Sequence, residues 1–322
     1  MPGWWGGSPG VLQHVHIDVA PDEAAAVQGF ESGRFDMLGS WYDMRQFPNI
    51  EPPFEAASSR WKPLITTCCG VEFVAFNLAE GPFAGPGGKP GRIAFSQAID
   101  RVAVVRAIDH VPQHAYLTDP ATGGPITKGM RGYLGDGRDP YAKVNPTAAR
   151  ALYAQWDPDG SKVKGLAFTY NPTPINDAEA RALQAQWKAN LGVDVQLQPV
   201  DPQTFFDGQS KNLYTMFRQG FARTYNDPEE ALDILFRPSF GGIPAGASSP
   251  QLDALLTTAR QDRPEHALAD YLRAAQMVVD DALVATLFYP QHFLVTQPYV
   301  EGGRVKPFGD GWQWTDLRIL KH

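Results

Sequence analysis

The densest run of side chains suited to recognising a small molecule is Arg218-Gln219-Gly220-Phe221-Ala222-Arg223-Thr224-Tyr225-Asn226-Asp227. It follows a β-prone stretch, Tyr214 to Phe217, and leads into a helix start, the kind of place where open α/β sheets bind ligands. A guanidinium fork matches a carboxylate or another planar anion. Aromatic rings with a hydrogen-bonding edge, carried on loops at strand ends, suit a cleft for a small solute. Such rings recur along the chain, Trp41, Tyr170, Tyr214 and Tyr225 among them. For any single ring, filling a core is the commoner use, and Arg218 equally fits a surface or interlobe salt bridge.

Covalent and metal chemistry find little support. Gly-x-Ser-x-Gly is absent, and Cys68 and Cys69, the only cysteines, have no evident histidine partner. Being adjacent, they give no disulfide framework and no zinc-ligand spacing, and read as small side chains at a strand edge. His14 and His16 would share one face of a strand, but no third ligand stands at a telling spacing. The glycine-rich segment Gly85 to Gly91 is not followed by the Gly-Lys-Ser/Thr of a phosphate cradle. Carboxylates read as caps and solvated helix faces. The nearest approach to an acid–base pair is Asp227 with Asp233, on one helix start, which keeps a carboxylate-based hydrolase as the alternative. Neither a cofactor nor a metal is expected.

The elements that must position these residues follow from periodicity and turn chemistry. Alternation predicts strands at Val11–Val19, Phe35–Leu38, Val71–Leu78, Leu166–Tyr170, Val193–Leu197, Val284–Tyr289 and Phe293–Thr296. Helical spacing predicts Asp22–Glu31, Arg92–Ile108, a helix opened by Asn145-Pro146 and running to Trp156, Asn176–Asn190, one opened by Asp227-Pro228, Pro250–Arg260 and Pro264–Asp281. Strand, helix and strand between Leu166 and Leu197 make a βαβ unit with a parallel pair. Pro48 to Pro63 and Val111 to Pro146 read as irregular. The class is mixed α/β.

Composition narrows the partners. The chain has 322 residues, 43% of them hydrophobic, with 31 glycines and 28 prolines and a net charge of −7. A core is affordable in such a chain, and no basic stripe marks a nucleic-acid partner. No apolar run approaches the ~20 residues that cross a bilayer. The start, Met-Pro-Gly-Trp-Trp-Gly-Gly, has no basic or apolar leader region.

Several segments in chain order are similar to one family. Pro2-Gly3-Trp4-Trp5-Gly6-Gly7-Ser8-Pro9, then Phe30-Glu31-Ser32-Gly33-Arg34-Phe35-Asp36, resembles the "NPxYWGGxP … LxSGEVD" region of family 5 extracellular solute-binding proteins. Those are the peptide, oligopeptide and nickel receptors of ABC importers. Ala75-Phe76-Asn77, Pro82-Phe83 and Arg92 to Arg101 resemble its "FN … PF … VRQAISYAIDR". Ala180 to Val195, Arg223 to Pro228 and Leu252 to Leu256 resemble "AEAIQAQLKKIGIKV", "ADYNDP" and "VDALL".

The resemblance implies a bilobal α/β fold of the periplasmic-binding-protein type II kind, with mixed sheets flanked by helices. Residues 1–115 would be part of the first lobe, 116–290 the second, and 291–322 a return segment on the first. Members carry some two hundred residues before the Trp-Gly-Gly segment, so the chain is expected to be N-terminally truncated, its first lobe incomplete, or to be half of a split gene. The implied function is a non-catalytic, extracytoplasmic receptor, a monomer at full length, that hands a small solute to an ABC permease. It would meet the membrane only through that permease or a lost lipid anchor. The ligand-binding residues expected are Arg218, Phe221, Thr224, Tyr225, Asn226, Tyr170 and Trp41. In peptide-binding members an Asp stands where this chain has Thr224 and pairs with the ligand's α-ammonium, so that recognition is in doubt here. Arg218 falls where oligopeptide binders place an arginine facing the ligand carboxylate, and Arg223 replaces a small residue.

Overall fold

The computed structural model describes residues 12–21, 23–39, 62–67, 69–109, 118–237, 246–247, 249–302 and 316–321. Trp41, Cys68 and the Pro2–Pro9 motif lie outside the described residues. Two compact units divide the chain: Met1–Cys68 with His110–Leu117 and Pro290–His322, and Cys69–Asp109 with Thr118–Tyr289.

In the first unit, α1 (Glu23–Glu31) precedes β1 (Met37–Gly39) and β2 (Lys62–Thr67). Both strands pair antiparallel with the last residues of the long strand β8 (Val284–Thr296), one on each side. Gln297 ties the strand end to α1 by donating from Nε2 to Phe30 O at 2.6 Å. The short β9 (Val300–Glu301) and β10 (Arg318–Ile319) pair antiparallel, and Val300 and Leu317 pack with Leu12, Met37 and Tyr299.

The second unit holds the larger core. Its sheet runs in the order β8, β3 (Gly70–Phe76), β7 (Met216–Ala222), β5 (Ala167–Tyr170), β6 (Gln196–Pro199), and β4 (Thr118–Pro120) also joins β8. β5 and β6 are parallel, with Ala167 opposite Gln196, as the βαβ reading requires. Their connecting helix, labelled α5 below, has its limits set by local chemistry. The Thr173 side chain accepts from Asn176 N, Pro174 gives up an N–H the first turn cannot use, and Gly192 ends the helix at φ 78°. Trp187 on that helix is fully buried and donates from Nε1 to Phe95 O at 3.1 Å.

The helices, in order, are α2 (Gly85–Gln97), α3 (Arg101–Asp109), α4 (Pro146–Trp156), α5 (Pro174–Leu191), α6 (Pro202–Ser210), α7 (Pro228–Phe236), α8 (Pro250–Gln261) and α9 (Pro264–Asp280). The glycine-rich run is the first turns of α2. Its glycines serve packing, since a Cβ on Gly91 would overlap the Trp156 ring of α4, whose Nε1 donates to Gly87 O at 3.0 Å.

Buried arginines join α2 and α3 to the rest of this unit. Arg92 donates to the carbonyls of Phe83, Gly85, Asp281 and Ala282. Arg101 donates to those of Ser96, Ile99, Ala142 and Thr286 and to Ser96 Oγ. Burial lowers both guanidinium pKa values to about 10, against the pull of Asp281 on Arg92 and chiefly of Asp139 on Arg101.

Several expectations need correction. Residues 12–21 contain no strand, and Ile17 and Val19 are 75% and 94% exposed. Alternation makes a strand only where another strand takes up its backbone groups, and no described residue does so here. Arg92–Ile108 is two helices, because Asp100 caps the second by accepting from Ala103 N at 3.1 Å. The two expected strands after Val284 are one, and α6 and β2 lie in stretches read as irregular or left unassigned. Cys69–Asp109, expected with the first lobe up to residue 115, belongs to the second unit because β3 pairs along its full length with β7 and α2 packs on α4. Among the described residues, no helix is long and apolar enough to cross a membrane.

Replacing Arg101 by Met should strand four carbonyls at once and lower unfolding stability by about 3 kcal/mol. Trp187→Phe should lose about 1 kcal/mol with its single hydrogen bond. Urea denaturation of the two variants beside the parent checks the order.

Candidate functional site

The antiparallel register of β3 on β7 runs from Gly70 opposite Ala222 to Phe76 opposite Met216. It sets Glu72 across from Gly220 and puts Arg218, two residues along β7, on the same face of the sheet. Gly220 is required there, because a Cβ would overlap the Glu72 carboxylate. Arg218 Nη2 lies 2.6 Å from Glu72 Oε2, and its Nε lies 3.4 Å from Glu179 Oε2 on α5. The Glu179 side chain has no solvent exposure, against 17% for Arg218 and 14% for Glu72. Burial alone would depress the Arg218 pKa, but Glu72 and Glu179 outweigh it and hold the guanidinium above its ordinary range. Arg218 is thus matched by two carboxylates of its own chain.

Beyond β7 the backbone continues one more bond, Arg223 N donating to Cys69 O at 3.2 Å. The turn that follows is fastened by side chains. Glu230 accepts from Thr224 N at 2.7 Å and from Thr224 Oγ1 at 2.9 Å. Asn226 Oδ1 accepts from Arg131 N at 2.8 Å. Asp227 caps α7 by accepting from Glu229 N, and its other oxygen pairs with the Arg131 guanidinium. Gly132, at φ +87°, lets that loop lie against Pro228, where a Cβ would come within 2.7 Å of the proline ring.

Five of the seven expected residues therefore gather on one strand and its turn: Arg218, Phe221, Thr224, Tyr225 and Asn226. Phe221 is half-buried, while Thr224, Tyr225 and Asn226 are exposed. Tyr170 ends β5, next to Thr169, which pairs with Phe217 of β7. Its ring is buried, its hydroxyl donates to Asp177 Oδ1 at 2.8 Å, and burial together with that bond pushes its pKa up to about 12. Trp41 lies outside the described residues.

Glu72, Glu179, Arg131 and Glu230 were not anticipated as parts of this arrangement. Two of them leave a trace in the sequence. Glu72 is the one acid inside a β-prone run, and Glu179 falls on the same i, i+4 stripe as Ile175, Leu183, Trp187 and Leu191. The carboxylates weighed for acid–base chemistry have other duties. Asp227 is a cap and ion-pair partner, and Asp233 is bonded to Arg237 just past the end of α7, with Arg260 nearby. Among the described residues, no group of three or more His, Cys, Asp or Glu is placed to hold a metal ion.

Residues 1–242 match the family model for bacterial extracellular solute-binding proteins, family 5 Middle. The chain belongs to that family. It is 24% identical over 327 residues to the periplasmic murein peptide-binding protein MppA of Escherichia coli K12, covering 99% of this chain and 57% of MppA. It is 23% identical to the periplasmic oligopeptide-binding protein OppA of Salmonella typhimurium LT2, covering 100% of this chain and 57% of OppA. It is 25% identical to the probable deoxycholate-binding periplasmic protein YgiS of Escherichia coli K12, covering 91% of this chain and 52% of YgiS. The unliganded open form of MppA shares the fold, with a TM-score of 0.74 at 21% identity over 93% of this chain and 56% of that one. This family 5 chain thus spans a little over half the length of the curated relatives it matches.

Arg218→Met should leave Glu72 and the fully buried Glu179 without their cation and destabilise the chain by about 3 kcal/mol. Pairing it with Glu72→Gln should recover part of that loss, because the two residues are coupled. Guanidinium chloride unfolding of the single and double variants checks both expectations.

Proposed function

We propose that this family 5 chain is the solute-binding part of an extracytoplasmic receptor that serves an ABC importer, and that it binds its ligand without transforming it. The single observation that carries the reading is the family match over residues 1–242. The names of the relatives add to it, since murein peptide-binding, oligopeptide-binding and probable deoxycholate-binding proteins are all binding components. The ligand-contacting part assigned here is the end of β7 with the exposed turn after it, where Phe221, Thr224, Tyr225 and Asn226 offer two rings, a hydroxyl and an amide. Arg218 enters as the cation that holds β3, β7 and α5 together. No observation favours the hydrolase alternative, because Asp227 and Asp233 serve as cap and ion-pair partners.

Ligand binding to the folded state raises the melting temperature by mass action, by about 2.7 kcal/mol of stability at a hundredfold excess over Kd. The expected outcome is a saturable thermal shift with at least one member of a panel of murein tripeptides, oligopeptides and bile salts. Tyr225→Ala should weaken the affinity several-fold without lowering the unliganded melting temperature. Conversion of a bound panel member to product, followed by mass spectrometry, would sink the receptor reading.

A further inference from the structure

The described arginines with buried side chains are satisfied by the fold, with one exception. Arg92 and Arg101 each spread their donors over backbone carbonyls, and Arg218 faces Glu72 and Glu179. Arg223 is equally buried, at 3% exposure, but neither Nη1 nor Nη2 has a hydrogen-bond partner. Its backbone N–H is bonded to the O of Cys69, the residue before β3, and its side chain is buried while its neighbours Ala222, Thr224 and Tyr225 are exposed.

The neighbouring acids are already engaged. Both oxygens of Glu230 are taken by Thr224, and both oxygens of Asp227 by Glu229 N and Arg131. Cys69, Glu230 and Asp227 lie near enough to favour the cation, yet burial outweighs them and lowers the Arg223 pKa. A guanidinium stays charged in a protein, and an enclosed charge with unmet donors is a standing cost to the fold. Two parallel Nη donors match the two oxygens of one carboxylate.

We propose that Arg223 is an anion subsite that takes a carboxylate between Nη1 and Nη2, so that the solute bound at the β7–α7 turn is an acid whose carboxylate reaches that guanidinium. This rests on the receptor reading above for the solute, though not for the anion itself. Its source is either the solute or a free small acid, and the two are separable.

Thermal unfolding of the 322-residue chain tests this in two arms at constant ionic strength. In the first, sodium acetate replaces sodium chloride. In the second, trialanine is compared with trialanine amide, which lacks the carboxylate. The parent and Arg138→Gln, a change at an exposed arginine, should show a saturable rise with acetate, and Arg223→Gln should bind at least fivefold more weakly. A rise with trialanine well above that with acetate assigns the site to a solute, and equal rises assign it to a free acid. Equal responses of the parent and Arg223→Gln, or no rise in the parent with either carboxylate, would overturn the subsite.

Should Arg223→Gln fail to fold, the parent's response to acetate against chloride still decides. Arg223→Met adds an independent measure: the free chain should melt higher once an unmatched buried charge is removed, and a lower melting temperature would count against the proposal. An Arg223-dependent acetate effect with no solute binding would refute the receptor reading and spare the subsite. Solute binding that is indifferent to Arg223 would do the reverse.

Discussion

A guanidinium on a central strand must be matched where it lies, and in this chain Arg218 on β7 is matched by Glu72 on β3 and Glu179 on α5. Much of the second unit depends on that requirement. The pairing places three elements from distant parts of the sequence in one register, with Gly220 clearing the space Glu72 occupies. Removing Arg218 would leave two carboxylates, one of them fully buried, without a cation, which is costlier than never having the groups at all. The turn that follows β7 takes its position from this fixed strand.

The same physics recurs in a neutral form at α2 and α3. Arg92 and Arg101 reach backbone carbonyl oxygens of loops, helix ends and β8. Loops that would otherwise bury unmet acceptors are drawn in and held. The glycine-rich start of α2 belongs to this economy of packing. Its small residues admit Trp156, and the indole N–H answers a carbonyl of the helix it lies on.

Against that background, the turn from Ala222 to Asp227 is polar and firmly braced, with Glu230 and Arg131 holding its backbone and side chains. A braced, exposed turn at the end of a rigid strand is a sound platform for recognition, because little of the binding energy goes into ordering it. In this family 5 chain we propose that platform for the ligand. The Thr224 hydroxyl is tied to Glu230, and the next residue back, Arg223, is a buried cation.

Much of the architecture was legible from sequence. The βαβ unit from Leu166 to Leu197, the helix starts at Asn145, Asp227 and Pro250, and α1 with its following strand all follow from local rules, since capping, proline placement and period act over a few residues. The family's motifs were legible for the same reason. What the sequence could not decide is what depends on partners far along the chain. Alternation at residues 12–19 did not make a strand, because a strand needs another backbone. Cys69 to Asp109 joined the second unit because β3 found β7, about 145 residues later. Above all, Arg218 and Arg223 stand five residues apart and read alike on the page. Only the tertiary structure gave one of them two carboxylates and left the other's Nη atoms without a partner, because a buried charge is answered by whatever the fold brings beside it.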